Sequence, residues 1–563
     1  MTKLNVGIVG GGIAGLYTAL LLQREGHRVR IFEGTDRIGG RVYTHYFTSE
    51  KNQYYEAGAM RIPQSGFHEI IFQLIEYINT NVPDPKAIRL IDYVLSAQGN
   101  DVYINNCRPK VRAFSVTPLS IDWNVPTEFR EKTAQQLLGE AIGGFIAGLK
   151  EDFNKTFESI VEQFDDWTFR FYCKSVMNWP PEVIDFVETV TSQTNQFSLS
   201  VPELVMQNMD FDEMHWKTID GGMSRLPSAM AHLVGLRNIT FDARVTGLEN
   251  TNDGRVRIIS SGHNGVLTAT FDRVVLAIPP AALRMMIDRP RWSVEKEMAI
   301  RSIHFESLYK MGMRFKTRFW ERVTPNPSHG GQSTTDLPIR WVVFPSNGRD
   351  EDGPGVLLVY AWMTDASNWV PLTPLERRSL AIKCIEILYQ GKMEGDTEIN
   401  VKDLLIETSD AIWSTSTATG DAMFLPGQFR THFKLACQRE GNIYFAGEHL
   451  SYHHTWLSGA ASSALNVTRD MLKDKSILPL DEGSPRRRES ETSSEASVGD
   501  SQLAKVPFVF SEDHTGPVHR WPPVDTPGTL KEDYDSEYDF PTDLGISPAG
   551  LGPTSASLKG PSS

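Results

Sequence analysis

The sequence predicts an α/β protein, α+β overall, that ends in a polar tail. A strand, a glycine-rich turn, a helix and a second strand follow one another between residues 4 and 33. Residues 127–190 have a helical pattern, and short apolar strands cluster at 235–280 and 339–363. With 563 residues, of which 40% are hydrophobic, the chain can form two or three domains.

Composition excludes several classes of partner. Lys and Arg number 56 against 70 Asp and Glu, so the net charge of −14 disfavours nucleic-acid binding. No apolar run reaches the ~20 residues of a membrane span, and no charged-then-apolar leader precedes Leu4. Four dispersed cysteines without a C-x-x-C pair indicate buried thiols rather than disulfides. We therefore expect a cytoplasmic protein that binds neither nucleic acid nor membrane.

The C-terminal segment 475–563 has the composition of a disordered tail. It is rich in Ser, Pro, Gly and acidic residues and contains stretches such as "SPRRRESETSSEAS" and "KEDYDSEYDFPTD", with no helical or strand period. Its short apolar stretch "PFVF" leaves open that the tail binds a protein partner. A homodimer is also left open.

The opening segment carries the pattern of a dinucleotide site. Gly10, Gly12 and Gly15 have G-x-G-x-x-G spacing after an apolar strand and before a helix. Such glycines permit a tight turn and close approach of the backbone to a pyrophosphate. Glu33 follows the second strand, where an acid can hold ribose hydroxyls. Together, these features predict dinucleotide binding in a Rossmann-like unit.

A second glycine loop, "DRIGGRV", follows at residues 36–42. Gly39 and Gly40 permit another close backbone approach, and Arg41 can pair with a phosphate. A nicotinamide domain needs no such second loop. The pattern R-x-G-G-R from Arg37 to Arg41 resembles the flavin amine oxidase family. The segment "NIYFAGEHLSYHHTWLSGAASSALN" is similar to the closing motif of that family, and the resemblance extends from residue 4 to about 472.

This resemblance implies an FAD domain of the glutathione reductase type, assembled from discontinuous segments. The implied domains are FAD-binding segments 1–60, 216–285 and 437–474, a mixed-sheet substrate domain of 61–120 and 286–436, and a helical insertion of 121–215. The cofactor is expected to be noncovalent FAD, because no cysteine stands in the closing motif.

The same resemblance implies which residues contact the cofactor. They are Gly10, Gly12, Ile13, Ala14, Gly15, Glu33, Gly34, Gly40, Arg41, Gly58, Ala59, Met60, Arg61, Val245, Glu448, Trp456, Leu457 and Ala460. Of these, Val245 is expected at the adenine, Glu448 near the ribityl and pyrophosphate, and Trp456 at the isoalloxazine.

Arg61 in "EAGAMRIPQ" is a single arginine in an apolar run, and a buried arginine needs a partner. The stretch resembles the G-x-M-R-[IL]-P pattern of L-amino-acid oxidases, in which the arginine binds the substrate α-carboxylate. Guanidinium and carboxylate match through two parallel hydrogen bonds. The alternative is a structural ion pair with an Asp or Glu of this chain.

Three other substrate-side positions follow from the resemblance. The family's tyrosine in the carboxylate clamp is matched by Val343 and Phe344, so Phe344 is assigned to the substrate site without a hydroxyl. Lys310 matches the lysine that holds a water against flavin N5, and it is the predicted catalytic residue. Trp456 is expected to wall the substrate amine. Arg318 is expected at the surface.

Histidines 449, 453 and 454 crowd the closing motif. No carboxylate spacing completes a metal-ligand set, so no metal is expected. That one of these histidines contacts the substrate or acts as a base is left open.

The resemblance as a whole implies oxidative deamination of an L-amino acid, with dioxygen as the second substrate and a 2-oxo acid, ammonia and hydrogen peroxide as products. Three alternatives stay open at this point. They are an L-amino-acid 2-monooxygenase, a biosynthetic oxidase of a modified amino acid or amine, and a non-catalytic flavoprotein scaffold.

Overall fold

The computed structural model describes residues 3–82, 87–191, 194–211, 215–262, 265–414, 419–481 and 483. The greater part of the predicted tail, residues 484–563, lies outside this range. Among the helices within it, none is both long enough and apolar enough to cross a bilayer.

The predicted α/β class, α+β overall, is confirmed. The strands are β1 Asn5–Val9, β2 Arg28–Phe32, β3 Thr44–Tyr46, β4 Tyr54–Glu56, β5 Ile62–Pro63, β6 Leu90–Asp92, β7 Val102–Tyr103, β8 Trp216–Ile219, β9 Ile239–Thr240, β10 Arg244–Asn250, β11 Val256–Gly262, β12 Gly265–Phe271, β13 Arg273–Leu276, β14 Leu308–Phe315, β15 Gln332–Thr335, β16 Trp341–Val343, β17 Gly355–Trp362, β18 Met393–Glu394, β19 Thr397–Glu398, β20 Leu405–Trp413 and β21 Ile443–Phe445. The α-helices are α1 Ile13–Arg24, α2 Glu69–Asn81, α3 Ala134–Glu151, α4 Phe153–Phe164, α5 Phe169–Ser175, α6 Pro181–Thr191, α7 Val201–Phe211, α8 Arg225–Val234, α9 Pro280–Arg284, α10 Val294–Ser302, α11 Met363–Ser367, α12 Pro374–Tyr389, α13 Val401–Leu404, α14 Lys434–Cys437 and α15 Leu457–Leu472.

A parallel five-stranded sheet has the order β21-β13-β1-β2-β9. Its strands come from the three segments that the sequence assigns to the FAD domain. Val6 and Ile8 of β1 share a core with α1, α8 and α15. Val9 and Phe32 join a different core that includes β10–β12. The sheet is covered on both faces, as parallel sheets require.

A second sheet has the order β20-β14-β17-β16-β15-β7. Strand β14 lies between β20 and β17, and Lys310 stands opposite Tyr360 in the register. Arg318, just beyond β14, is only 1% exposed and its guanidinium lies 3.2 Å from the Glu321 carboxylate. The expectation of a surface position for Arg318 is therefore wrong.

Two elements cross the predicted domain boundaries. The apolar face predicted after Pro63 is confirmed as α2, but Ile71, Leu74 and Ile78 pack into the core of the parallel sheet rather than the substrate domain. Strand β8, assigned by sequence to the FAD domain, pairs instead with β5 and β6. The helical insertion contains α3 to α7.

The ordered body continues beyond the tail boundary predicted at residue 475. Ile477 and Leu480 are buried in the core that contains α1. The Leu480 backbone N–H donates to the Tyr17 hydroxyl at 3.0 Å, and Arg24 donates to the carbonyl of Pro479. The boundary is thus too early, because composition does not show that two apolar residues in a polar stretch dock on a distant helix.

We expect Leu480→Ala to lower the free energy of unfolding by about 2–5 kcal/mol, the usual cost of truncating a fully buried leucine. Leu478→Ala is the matched control, since Leu478 is 63% exposed and should change stability by less than about 0.5 kcal/mol. Chemical denaturation of the two variants measures both values. Equal, small effects would show that residues 475–481 do not dock on the body.

Candidate functional site

One large cavity collects nearly all of the predicted site residues. Those that line it are Gly10, Gly12, Ile13, Ala14, Glu33, Gly34, Gly40, Arg41, Gly58, Ala59, Met60, Arg61, Val245, Lys310, Glu448, Trp456, Leu457 and Ala460. Two predicted residues do not line it, Gly15 and Phe344. Segments far apart in the chain therefore meet around one space.

The first glycine loop joins β1 to α1. Gly10 has a φ of +104°, which disfavours any side chain there. A Cβ on Gly15 would stand 2.0 Å from the Gly10 carbonyl oxygen, so Gly15 serves the tight turn behind the cavity. Glu33 fixes the loop by accepting the Gly11 N–H at 2.7 Å. Burial raises the pKa of Glu33, while the Gly11 hydrogen bond lowers it.

The second glycine loop lies directly against the first. The Gly39 N–H donates to the Gly11 carbonyl at 2.9 Å. A Cβ placed on Gly12, in the first loop, would meet no described atom within 4 Å, so the backbone of the first loop is open to the cavity. The open backbone of Gly12 at the N-terminus of α1 suits a phosphate-containing ligand.

Arg41 and Glu448 connect this loop to the closing motif. The Arg41 guanidinium donates to the Glu448 carboxylate at 2.7 Å and to the Gly420 carbonyl at 2.8 Å. Glu448 also accepts the N–H groups of Ala422 and Thr455. Burial alone would raise the pKa of Glu448, but the positive charge of Arg41 holds it below its ordinary value. Glu448 is therefore ionised at neutral pH.

Arg61, which lies just before β5, is buried and also lines the cavity. Its guanidinium lies 5.0 Å from the Phe211 ring centre, 5.5 Å from that of Trp216 and 5.7 Å from that of Tyr93. Its Nη1 is buried and has no hydrogen-bond partner. Within the described ranges, no Asp or Glu forms an ion pair with Arg61.

Lys310 lies on the floor of the cavity formed by one face of β14, β17 and β20. Side chains alternate along strands, so Leu308 and Lys310 share this face with Tyr360 and Trp362. The Lys310 ammonium donates to the carbonyls of Gly58 and Glu56. Burial, together with the charge of Arg61, lowers the pKa of Lys310 to about 7.

The structure corrects the prediction for Phe344. That side chain is 2% exposed and faces a small separate pocket shared with Tyr93 and Met60. The phenol that lines the main cavity is Tyr360, opposite Lys310 in the sheet. Burial raises the pKa of Tyr360, whereas the charge of Arg61 lowers it, so the two side chains act on each other. The site does not lack a hydroxyl.

Trp456 precedes α15 and packs in an aromatic group with His68, Phe211 and Trp216. Its indole Nε1 is buried without a partner. The three histidines of the closing motif contact other residues.

His454 lies 2.7 Å from Glu203, and His453 lies 3.6 Å from Asp210. Of the three histidines, only His449 lines the cavity. Burial lowers the pKa of His449 to about 3, so it is uncharged at neutral pH.

Sequence reasoning missed several lining residues. Tyr360 and Trp362 alternate in "GVLLVYAWM", and their shared face was a usable signal. Phe211, Arg244 and Asp421 carried no local pattern that pointed to the cavity.

The lining residues fit a flavin dinucleotide. Open glycine backbone, the acid Glu33 after β2 and the Arg41–Glu448 pair suit a ribose and a pyrophosphate. The unpartnered donors of Arg61 and Trp456 remain for a second ligand. None of the four cysteines, all described and free, lines the cavity.

Comparison with known proteins agrees with this geometry. The family profile described as "Flavin containing amine oxidoreductase" matches residues 13–472. The chain belongs to this family, and the family implies a flavin cofactor. It is an oxidoreductase of the amine oxidase type that acts on small molecules.

Among similar proteins is an "L-amino-acid oxidase" of Vipera ammodytes ammodytes, 26% identical over 83% of this chain and 92% of that protein. One of Crotalus adamanteus is 27% identical over 83% of this chain and 86% of its own length.

Solved structures support the fold. A putrescine oxidase bound to putrescine aligns with a TM-score of 0.64 at 16% identity, over 84% of this chain and 99% of that chain. Cyclohexylamine oxidase from Brevibacterium oxydans IH-35A aligns with a TM-score of 0.60 at 15% identity, over 84% of this chain and 99% of its own.

We expect Glu33→Arg to remove the flavin from the purified protein, because the substitution places a bulky cation where the lining suits a ribose. The ratio of flavin absorbance to protein absorbance measures the loss. Glu128→Arg makes the same charge change at an exposed position and should keep full flavin content. Full flavin retention in Glu33→Arg would place the cofactor elsewhere.

Proposed function

We propose that this protein is an FAD-dependent L-amino-acid oxidase that converts its substrate to a 2-oxo acid, ammonia and hydrogen peroxide. The observation that carries the proposal is Arg61, a buried arginine in the cavity with an unpartnered guanidinium nitrogen.

The surroundings of Arg61 favour an anionic ligand. Three aromatic rings surround the guanidinium, but rings cannot replace the two oxygen acceptors that a buried guanidinium needs. A carboxylate supplies both oxygens in the matching geometry. A simple amine would instead add a second positive charge beside Arg61. The α-carboxylate of an amino acid therefore fits this site better than a simple amine.

Tyr360 and Lys310 complete the polar part of the substrate site in this proposal. In this proposal the Tyr360 hydroxyl, which lines the same cavity, adds a hydrogen bond to the carboxylate that Arg61 holds. Lys310, anchored by the carbonyls of Gly58 and Glu56, holds a water and a proton at the cavity floor. Trp456 forms a wall that excludes bulk water and orients the amine.

Held by the glycine loops and the Arg41–Glu448 pair, a bound flavin would supply a hydride acceptor for the substrate Cα–H and a route for the electrons to dioxygen. The residues of the chain contribute orientation and electrostatics. Water then hydrolyses the released imino acid to the 2-oxo acid and ammonia. We also propose noncovalent FAD, since no cysteine lines the cavity, and a cytoplasmic location.

Product analysis tests the reaction type. Equal amounts of 2-oxo acid, ammonia and peroxide support an oxidase, whereas an amide and CO2 would indicate a monooxygenase. Absence of flavin bleaching by any amino acid under anaerobic conditions would contradict an enzyme of either type.

Arg61→Ala should lower kcat/KM for an L-amino acid by roughly 30- to 4,000-fold. This range corresponds to the ~2–5 kcal/mol lost when one partner of a buried charge pair is removed. Arg61→Lys keeps the charge but loses the two-pronged geometry, so it should recover only part of the activity.

The decisive comparison for Arg61 is between an amino acid and its decarboxylated amine. Wild type should strongly prefer the amino acid. Arg61→Ala should reduce that preference mainly by lowering kcat/KM for the amino acid. Equal turnover of amine and acid by wild type would refute the proposal. Loss of flavin in Arg61→Ala would assign the arginine to the cofactor instead.

Lys310→Met should slow flavin reduction by about 100-fold or more, while the affinity for substrate changes less. A residue that transfers a proton affects the rate of the reaction rather than the binding of the substrate. With a pKa of about 7, Lys310 is charged below that pH and neutral above it. The wild-type pH profile should therefore bend near pH 7.

That bend should be absent from Lys310→Met. Other charges that act on Lys310 are Arg61, Glu56 and Asp421. Stopped-flow absorbance across pH 6–9 measures both effects. Unchanged rates in both half-reactions would show that Lys310 does not act at the flavin.

A further inference from the structure

Asp421 is a buried carboxylate in the cavity wall that the proposed chemistry does not use. It lies after β20, is 7% exposed, and lines the same cavity as Arg61 and Lys310. Its Oδ1 is buried, and no described residue forms a hydrogen bond with it. An unpaired buried carboxylate oxygen is costly, so a group that enters the cavity is its natural partner.

The backbone holds Asp421 in a fixed position. The Gly420 carbonyl accepts from Arg41 at 2.8 Å, and the Ala422 N–H donates to Glu448 at 3.2 Å. The carbonyl of Asp421 itself accepts the Glu306 N–H at 3.0 Å. Fixed backbone on both sides gives the precision that a recognition group needs.

Asp421 and Arg61 line the same cavity. Both act on Lys310, whose pKa is lowered by Arg61 and raised by Asp421, and both act on Tyr360. Within the described ranges Lys310 forms no ion pair with Asp421, and its ammonium donates instead to two backbone carbonyls. Burial and the charge of Glu448 raise the pKa of Asp421 to about 8. A bound cation would stabilise its ionised form.

We propose that Asp421 binds a cationic side chain of the substrate, an ammonium or guanidinium group, so that the enzyme prefers basic L-amino acids. This inference rests on the proposed function, in which Arg61 holds the α-carboxylate. The substrate then carries an anionic group for Arg61 and a cationic group for Asp421, whose carboxyl ionises when the cation binds.

The α-amino group is a poorer partner for Asp421. An adjacent carboxylate stabilises the ammonium form of an amine. An α-ammonium has no free electron pair with which to form the imine as hydride leaves, so that pairing would oppose oxidation. A side-chain cation remains charged throughout the reaction and can keep its partner.

Kinetics with a matched pair of substrates test the inference. L-Lysine and L-norleucine differ only in the terminal amino group. Wild type should show a kcat/KM for lysine at least tenfold above that for norleucine. Asp421→Asn should lower the value for lysine by about 30-fold or more and that for norleucine by less than threefold. Asp396→Asn is the control, since Asp396 is exposed and does not line the cavity.

Binding of compounds without an α-amino group gives an independent measurement. 6-Aminohexanoate and heptanoate each offer a carboxylate to Arg61, but only the first carries a terminal ammonium. Calorimetry on the wild-type holoenzyme should find 6-aminohexanoate bound at least tenfold tighter than heptanoate. Asp421→Asn should remove this difference, and Arg61→Ala should weaken both compounds.

Four results would overturn the inference. They are equal binding of the two carboxylates by wild type, an equal loss of lysine and norleucine turnover in Asp421→Asn, loss of flavin from that variant, and equal kcat/KM of wild type for lysine and norleucine. The second would assign Asp421 to the α-amino group and the third to the cofactor. The wild-type comparisons stand even if the variant does not fold.

Failure of this inference can be distinguished from failure of the proposed function. If wild type oxidises norleucine and lysine with equal kcat/KM, the side-chain inference is refuted, while the proposed L-amino-acid oxidase activity stands. If wild type oxidises no L-amino acid, both are refuted.

Discussion

The cavity depends on the ion pair between the partly buried Arg41 and the buried Glu448. Arg41 lies in the second glycine loop, Glu448 lies in the closing motif, and both also bind the backbone around Asp421. Three segments distant in sequence thus meet at two side chains. A buried carboxylate left without its arginine is strongly destabilising, so the pair fixes the relative positions of these segments. The walls that carry Trp456 and Asp421 are placed through it.

Around this pair, the protein keeps several ionisable groups out of water. Burial brings the pKa of Lys310 and of Glu56 to about 7 and that of Asp421 to about 8. Strong shifts of this kind, in a cavity, mark functional sites more often than structural ones. A change in the charge of a bound ligand can therefore alter the protonation of Lys310, Glu56 and Asp421 together.

Local patterns in the sequence predict residues that the structure brings to one cavity, and contacts between distant segments account for the errors. Gly10, Gly12 and Glu33 belong to a single strand–turn–helix–strand unit, so their spacing is enough to group them. Phe344 is misplaced because the family's tyrosine is matched to the wrong segment of the sequence, whereas Tyr360 of β17 faces the cavity opposite Lys310. Asp421 follows no period, and its environment comes entirely from other segments. Leu480 likewise lies in a stretch with the composition of the tail, and only its contact with Tyr17 shows that it belongs to the ordered body.

The order of strands in the parallel sheet has a consequence for how the chain is made. Strand β1 pairs with β13, and β13 pairs with β21 near residue 443. A ribosome adding ~5–20 residues per second needs roughly 20–90 s to reach that point. From the synthesis of Leu276 to that of Ile443, β13 has an unpaired edge, and the apolar residues beside it are not yet covered. Closure of the parallel sheet therefore waits for a strand made late in synthesis, and long-range closure of this kind is slow and exposed to aggregation.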